Sequence, residues 1–260
     1  MGAVVQHSLY MAQRWLMALL RQPAWIVVTL VQPVMWLLLF GALFEEVVRL
    51  PGFDSDSYAD FLTPGIVVMT ALFSAGWAGM GLLQDYERGI LDRFLTTPSS
   101  RIALIAGPLA QQSLVTIVQS LILIGLGLAV ADAEFAGGAI GCVVAVVAAI
   151  LLGTAVGALS NALALVARKE ETVIATVTSF TLPLSFLSGT FMDLDLAPEW
   201  IGDVARFNPL EWAVVAGREA MTSDDVDWGL VGTRLGLLLA LVVACFAIAT
   251  RAFRSYQRSV

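Results

Sequence analysis

The chain has 260 residues, of which 58% are hydrophobic and 13% are charged, and its mean hydropathy is +0.84. Soluble domains carry about 25% charged residues, so the composition excludes a soluble globular protein and indicates an integral membrane protein. The formal net charge of -7 does not by itself define a partner, because charges of a membrane protein must first be assigned to a side of the membrane.

The first predicted element is an amphipathic helix within residues 1–23. Arg14 and Arg21 lie among Leu, Met and Trp side chains there, a mixture typical of a helix in the membrane interface. The alternative is a frayed tail. A cleaved signal peptide is disfavoured, because no short apolar core with a small-residue cleavage site comes before the first long apolar run.

Six apolar stretches then follow, each long enough to cross about 30 Å of hydrocarbon as a helix. The fold class is therefore an all-α integral membrane protein with six transmembrane helices, forming one domain over residues 1–260. The third and fourth spans exceed about 20 residues, so each must tilt, bend or project from the bilayer. The predicted spans cover residues 25–44, 61–83, 102–131, 135–167, 173–192 and 228–250.

Two connecting segments carry more than ordinary loop sequence. Residues 84–101 carry charged side chains three or four positions apart, together with an apolar face, which predicts a short helix. Pro98 is expected to end this helix. Residues 193–227 are acidic but keep aromatic and aliphatic side chains at helical spacing, which predicts short amphipathic helices and a re-entrant hairpin around Asn208-Pro209. The alternatives are a solvated connector for the first segment and an ordinary surface loop for the second.

Basic residues predict the orientation. With the N-terminus inside, ten of the 14 Lys and Arg residues lie on the inner side, which the positive-inside rule assigns to the cytoplasm. Both termini and residues 84–101 are then cytoplasmic, whereas most acidic residues are external.

Several function classes are disfavoured. Apart from Arg234, which is near enough to the end of the sixth span to snorkel, the predicted spans contain no Asp, Glu, Lys, Arg or His, which argues against an ion-driven carrier but leaves a passive pore open. The chain has no GxxxxGK[ST] phosphate loop, so any ATP must be bound by a partner. His7 is the single histidine, which offers no convincing catalytic triad. No catalytic, cofactor-binding or metal-binding residue is predicted, and Cys142 and Cys245 are expected to be buried thiols.

The acidic group after the fifth span is the one conceivable cation site, but it lacks the Gly-containing calcium loop and is predicted to be a solvated rim. This group comprises Asp193, Asp195, Glu199 and Asp203.

Uncharged polar groups remain inside the spans. They are Gln112, Thr116, Gln119 and Ser120 in the third span, and Thr172, Thr176 and Ser179, continuing toward Pro183, in the fifth. Interhelical hydrogen bonding is favoured over ligand contact for these groups, although some could do both. The GxxxG-spaced pairs permit close helix contact within one subunit or between two; they are Gly137/Gly141, Gly153/Gly157 and Gly232/Gly236.

Two motifs resemble those of the ABC-2 type permeases, and especially of the daunorubicin-resistance-like drug exporters. The first is Glu87-Arg88-Gly89, Leu91-Asp92-Arg93-Phe94-Leu95 and Thr97-Pro98-Ser99-Ser100-Arg101. Ile90 stands where the family usually has Thr, which removes a hydroxyl contact. The second is Asn208-Pro209-Leu210 followed by Arg218. Together with the six spans, the resemblance covers nearly the whole chain.

The resemblance implies a permease that pairs with a second copy or a paralogue and with two cytoplasmic ATP-binding subunits, which hold Mg-ATP. Lipid is the other expected partner, and no nucleic acid is expected. The implied location is a bacterial plasma membrane. The residues implied to couple to the ATPase are Glu87, Arg88, Gly89, Leu91, Arg93, Phe94, Thr97, Pro98 and Arg101.

Substrate is implied to pass between the two copies, near spans two and five. The candidate pathway residues are Phe73, Trp77, Thr176, Ser179, Pro183 and Phe186, and the external hairpin carries Asn208, Pro209, Leu210 and Arg218. The leading hypothesis is export of amphipathic drugs or lipid-like molecules. The alternatives are a polysaccharide or glycolipid exporter and a non-transporting scaffold or passive pore.

Overall fold

The computed structural model describes residues 23–49, 53, 55, 57–88, 101–131 and 133–257, and this part of the chain is helical without any β-strand. The interface helix predicted over residues 1–23 lies outside the described residues, apart from Pro23, which starts the first helix. The helices are α1 (Pro23–Leu43), α2 (Tyr58–Gly76), α3 (Ala78–Glu87), α4 (Arg101–Val130), α5 (Gly138–Ala167), α6 (Glu170–Phe186), α7 (Glu199–Ala205), α8 (Pro209–Thr222) and α9 (Trp228–Gln257). Short 3₁₀ helices occupy Glu45–Arg49 and Leu194–Leu196.

Four helical stretches of the described chain are long and apolar enough to cross a membrane. They are Tyr58–Asp85, Gly107–Val130, Gly138–Ala167 and Trp228–Phe253. A shorter apolar stretch, Val27–Leu43, belongs to α1. The chain is therefore a multi-pass helical membrane protein, and the six-span topology stays a prediction.

The fifth predicted span, residues 173–192, is wrong at its C-terminal end. Helix α6 ends at Phe186, and the chain then turns through Gly189 and Thr190. Pro183 lies in the last turn of α6 and lacks a backbone donor. Residues 187–192 are uncharged, and the absence of charge alone does not show where backbone groups find partners outside their own helix.

Helix α2 lies at the centre of the bundle. Of its 19 residues, 16 are buried, and they pack against α1, α4, α5 and α8. Helix α5 approaches its neighbours closely because small side chains such as Ala145, Ala148 and Ala149 cover its inner face. These two helices form the scaffold on which the other elements pack.

The three GxxxG-spaced glycine pairs differ in whether another helix of this chain packs against them. At Gly137 and Gly141 an added Cβ would run into the carbonyl of Ala220, and the Gly137 N–H donates to the Met221 carbonyl at 3.0 Å. The Gly153/Gly157 pair also faces helices of the same chain. These four glycines therefore serve contacts within one subunit, whereas Gly232 and Gly236 have no described atom within 4 Å of an added Cβ.

The connecting segments gather at two ends. Leu83 of α3, Ala164 of α5 and Val173 of α6 pack together at one end, which also carries the turn Arg168–Lys169. At the other end the Glu134 N–H donates to a carboxylate oxygen of Asp60 at 2.8 Å, near the contact between α5 and α8. The first end carries the basic residues Arg168 and Lys169 together with the acidic Glu170 and Glu171.

Both cysteines are free thiols. Cys245 is buried, as expected, but Cys142 is half-buried. The expectation of a buried thiol at Cys142 is therefore wrong, because one side of the apolar α5 surface is not covered by other helices of this chain.

Candidate functional site

A cavity of about 220 Å³ lies between α1, α2 and α4. The side chains around it come from three helices that are adjacent in space but distant in sequence, and the cavity is partly open to its surroundings. The lining residues are Val28, Thr29, Gln32, Pro33, Trp36, Met69, Thr70, Phe73, Ser74, Trp77 and Gln119.

The walls combine flat apolar surfaces with a few uncharged polar groups. Trp36, Phe73 and Trp77 provide the aromatic surface, and no lining residue within the described chain is charged. The Thr70 hydroxyl is already engaged, since it donates to the Ile66 carbonyl of its own helix at 2.7 Å. A mostly apolar concave surface with few polar groups is typical of small-molecule sites.

Gln119 is a buried polar residue of the cavity wall whose amide is only partly hydrogen-bonded. Its side chain is 2% exposed, and its Nε2 donates to the Thr29 hydroxyl at 3.1 Å. Its Oε1 is buried without a hydrogen-bond partner among the described residues. A buried carbonyl left in this state costs roughly 1–3 kcal/mol.

Gln112 provides an internal comparison, because it lies two turns earlier on α4. Its Nε2 donates to the Ser74 hydroxyl at 3.1 Å and lies 3.4 Å from the Thr116 hydroxyl. Gln112 does not line the cavity. Both amides therefore bond to another helix through Nε2, as expected from sequence, but only Gln119 lines the cavity and has a buried Oε1 without a described partner.

The six predicted pathway residues fall into two groups. Phe73 and Trp77 line the cavity. The remaining four, Thr176, Ser179, Pro183 and Phe186, lie on α6 and are not part of its lining. The Phe186 ring is 61% exposed on the bundle surface, so a path shared by α2 and α6 across two copies stays a prediction.

The helix that lines the cavity is interrupted between α2 and α3, and this interruption lies directly beside the cavity. Trp77 forms the turn, and the Ser160 hydroxyl of α5 enters it, donating to the Gly76 carbonyl at 2.5 Å and accepting from the Gly79 N–H at 3.0 Å. The side chain of Ser160 thus replaces a backbone hydrogen bond that the break removes. This turn joins the cavity wall to α3, which leads toward the segment resembling the coupling motif.

Most of the predicted coupling residues lie outside the described residues. Glu87 is the last residue of α3, and Arg88 follows in a turn; both side chains are exposed. Arg101 is the first residue of α4. The positions outside the described chain are Gly89, Leu91, Arg93, Phe94, Thr97 and Pro98.

The second sequence motif forms a largely buried polar cluster of Asn208, Glu211 and Arg218, which we call the external clamp after the side of the membrane predicted for residues 193–227. Asn208 caps α8 by accepting from the Leu210 N–H at 2.9 Å. Its Nδ2 also donates to the carbonyls of Leu184 and Leu187, each at 2.7 Å. Asn208 therefore satisfies the carbonyls that are orphaned where α6 ends.

Glu211 and Arg218 hold the peptide groups around Gly189 from two sides. The Gly189 N–H donates to Glu211 Oε2 at 2.6 Å, and Arg218 donates to the Gly189 carbonyl at 2.7 Å. Arg218 also donates to the Phe61 carbonyl at 3.1 Å, with its guanidinium carbon 3.5 Å from the centre of the Phe61 ring. The clamp consequently ties α2, α6 and α8 together.

Helix α8 is not one of the four long spans, yet the clamp is screened from water. Burial raises the pKa of Glu211 above its ordinary value, outweighing the Gly189 N–H and the Arg218 charge that favour the carboxylate. Burial likewise lowers the pKa of Arg218 to about 10, despite the attraction of Glu211. Arg218 remains protonated at neutral pH.

Of the four predicted hairpin residues, Asn208 and Arg218 make the clamp contacts, Pro209 is the first residue of α8, and Leu210 is fully buried. The motif did not identify Glu211. A sequence signal existed, since Asn208 and Glu211 have the spacing of a helix capping box. That pattern predicts a bond within one helix turn, whereas Glu211 actually accepts from Gly189 on another element.

An aromatic cluster surrounds the clamp side of α1 and α2. The rings of Trp36 and Phe191 have centroids 5.1 Å apart, and Phe191 lies 6.0 Å from Phe186. Tyr58 and Phe61 are buried at the start of α2. Tyr58 and Phe61 therefore belong to the core, whereas Trp36 also lines the cavity and Phe186 is exposed on the bundle surface.

The bundle and its cavity define the class of protein: a multi-pass helical membrane protein with an uncharged, largely apolar cavity between its helices. Residues 7–222 match the family described as ABC-2 type transporter. The chain belongs to this family, as its two motifs predicted. It is accordingly the membrane component of an ABC transporter, a transport subunit rather than a catalytic one, and ABC-2 permeases work with ATP-binding subunits.

Curated relatives agree with this assignment. The chain is 30% identical over 246 residues to the daunorubicin resistance ABC transporter permease protein DrrB1 of Streptomyces coeruleorubidus, covering 93% of this chain and 84% of the relative. It is 27% identical over 251 residues to the putative transport permease ycf38 of Porphyra purpurea, covering 92% and 84%. The protein of the same description from Cyanophora paradoxa is 28% identical over 214 residues, covering 81% and 72%.

Proposed function

We propose that this chain is the membrane subunit of an ATP-driven exporter of amphipathic molecules, either drugs or lipid-like compounds. In this proposal two cytoplasmic ATP-binding subunits hold Mg-ATP and drive two permease copies. The complex is located in a bacterial plasma membrane, and both termini of the chain are cytoplasmic. The chain crosses the membrane six times, with residues 193–227 outside.

The observation that carries the proposal is the uncharged cavity between α1, α2 and α4. Its aromatic and aliphatic walls favour apolar ring systems, and its amide and hydroxyl groups accommodate a polar substituent. Ion-coupled carriers usually need an ionisable group at membrane depth, and no residue lining this cavity is ionisable. The resistance named for the Streptomyces relative is consistent with an amphipathic cargo.

The basic residues at one end support the proposed orientation. The end formed by α3, the end of α5 and the start of α6 carries Arg88, Arg168 and Lys169. The opposite end carries the acidic loops and the external clamp. Positive residues on the inner side are the expected arrangement.

The test is reconstitution of the tagged chain with the ATPase that co-purifies with it from native membranes. We expect amphipathic fluorophores to stimulate ATP hydrolysis and to accumulate on the far side of proteoliposomes in the presence of Mg-ATP. The control is an ATPase whose phosphate-loop Lys is replaced by Ala. Absence of a co-purifying ATPase, or ATP-independent flux equal in both preparations, would refute export and favour a pore or scaffold.

The coupling role of residues 84–101 is tested by Glu87→Ala combined with Arg88→Ala. Both side chains are exposed at the end of α3, so the double substitution is not expected to unfold the bundle. We expect transport to fall at least tenfold while cargo binding is unchanged. Normal transport by the double variant would contradict a coupling function for this segment.

A further inference from the structure

A buried hydrogen-bond acceptor without a described partner belongs to a residue in the wall of the cavity between α1, α2 and α4, so a ligand reaches it when the Gln119 side chain turns toward the cavity. Gln119 lines the cavity, is 2% exposed, and has an Oε1 without a partner among the described residues. Its Nε2 is already committed to the Thr29 hydroxyl at 3.1 Å. A buried acceptor in this state favours any ligand that brings a donor to it.

The size of the cavity limits how much of a ligand it can hold. Its volume of about 220 Å³ is below the roughly 300–1,000 Å³ that encloses a drug-sized molecule. The cavity therefore holds one ring or one substituted chain end, while the rest of the molecule extends through its open side. Trp36 and Phe73 provide apolar surfaces for that part.

The absence of charge in the cavity walls determines which hydrogen-bond donor a ligand can bring. No described lining residue is charged, and burying an ammonium group without a counter-charge is much more costly than burying a hydrogen-bonded hydroxyl. An uncharged donor on an otherwise apolar group meets both constraints.

We propose that the cavity binds the hydroxyl- or amide-bearing end of an uncharged amphipathic molecule, whose donor hydrogen-bonds to Oε1 of Gln119. The inference deepens the proposed export function and rests on it, because it names the chemical class of the cargo. It assigns Gln119 as a specificity residue, whereas Gln112 on the same helix is structural.

The test uses two probes of nearly equal shape, pyrenebutanol and pentylpyrene, which differ by a terminal hydroxyl against a methyl group. The full-length chain is reconstituted in lipid nanodiscs, and binding is followed by energy transfer from tryptophan to pyrene, since Trp36 and Trp77 line the cavity. The quantity of interest is the ratio of the two dissociation constants. Comparing this ratio between variants cancels the partitioning of each probe into lipid.

Gln119→Met removes the acceptor at similar volume, and Gln112→Met is the matched control on α4. We expect the preference for pyrenebutanol over pentylpyrene to fall about fivefold in Gln119→Met and to be unchanged in Gln112→Met. An unchanged preference in Gln119→Met, or an equal fall in both variants, would overturn the proposal.

A measurement on the wild-type chain keeps the proposal testable if Gln119→Met fails to fold. Each dissociation constant is then corrected for the partitioning of that probe into protein-free nanodiscs, and the corrected values must favour pyrenebutanol. Equal values overturn the proposal and indicate that the cavity retains water or excludes both probes.

ATP-driven transport of both probes by the complete complex separates this inference from the proposed function. Transport without hydroxyl preference refutes only the donor assignment. Hydroxyl preference without transport refutes export and leaves the binding site in place.

Discussion

The external clamp and the cavity both place polar side chains in apolar surroundings, but they satisfy them to different degrees. In the clamp, Asn208, Glu211 and Arg218 each hydrogen-bond to backbone groups of other elements at 2.6–3.1 Å. In the cavity, Gln119 keeps one end of its amide without a described partner beside about 220 Å³ of open space.

This difference in hydrogen bonding indicates a structural role for the clamp and a ligand-binding role for the cavity. A fully paired buried network fixes the position of its elements and has little capacity left for a ligand. A half-paired amide beside a cavity makes the structure less stable until a ligand supplies the missing donor. We therefore assign the clamp to holding α2, α6 and α8 together, and the cavity to cargo.

The largest expected effect comes from removing the positive charge of the clamp. Arg218→Met leaves the carbonyls of Phe61 and Gly189 without that donor and removes the larger of the two positive charges, Arg218 and Arg234, that favour the Glu211 carboxylate. We expect a loss of about 3 kcal/mol of stability, measured as a lower thermal unfolding midpoint in detergent.

The matched control is Arg206→Met, two residues before Asn208 of the clamp. The Arg206 side chain is 76% exposed and lies 3.6 Å from Asp203, and an exposed ion pair of this kind contributes little. Similar midpoints for the two variants would show that the clamp does not hold the fold.

A smaller effect is expected at the break beside the cavity. An Ala at Gly79 would force its Cβ into the backbone of Ser160, whereas an Ala at Gly81 on the same helix meets no described atom within 4 Å. We expect Gly79→Ala to cost about 2 kcal/mol and reduce probe binding through Trp77, and Gly81→Ala to be neutral or stabilising. The comparison uses unfolding midpoints and probe affinities, and equal behaviour of the two variants would exclude a tight contact between α3 and α5.

The smallest effect concerns the charge of Glu211. An unfolded carboxyl titrates near 4.5, and burial raises the pKa of Glu211 in the folded protein. Between these two values the folded state keeps a proton that the unfolded state has lost, so this contribution makes the protein less stable as pH rises through that window.

Glu211→Gln keeps an oxygen that accepts from the Gly189 N–H but does not titrate. The unfolding midpoint of this variant relative to the wild type should therefore rise as pH increases above 4.5 and level off once the buried carboxyl is ionised. A difference that is constant with pH, or that shrinks as pH rises, would argue against a raised pKa at Glu211.

The apolar stretches were sufficient to predict the main helices and the family, because long uncharged runs and the two motifs are local properties of the chain. The end of α6 was not predictable in this way. Residues 187–192 carry no charge that would end a span, but Asn208 and Glu211 supply hydrogen bonds to the end of α6 from more than 20 residues away.

The hydrogen bonds around the cavity were equally hard to predict from sequence. Gln112 and Gln119 are indistinguishable as buried amides on one face of α4, and their partners lie on other helices. The Ser160 hydroxyl that enters the Trp77 turn is likewise 84 residues from Gly76. Pairing of this kind depends on which helices pack together, so the sequence pattern identified the candidates without ranking them.

The most direct test of the account is a structure of the permease–ATPase complex in nanodiscs with pyrenebutanol bound. We expect density for the probe in the cavity between α1, α2 and α4, with its hydroxyl within hydrogen-bonding distance of Gln119. Probe density against Thr176 and Ser179 of α6, with the cavity empty, would contradict the assignment of this cavity to cargo.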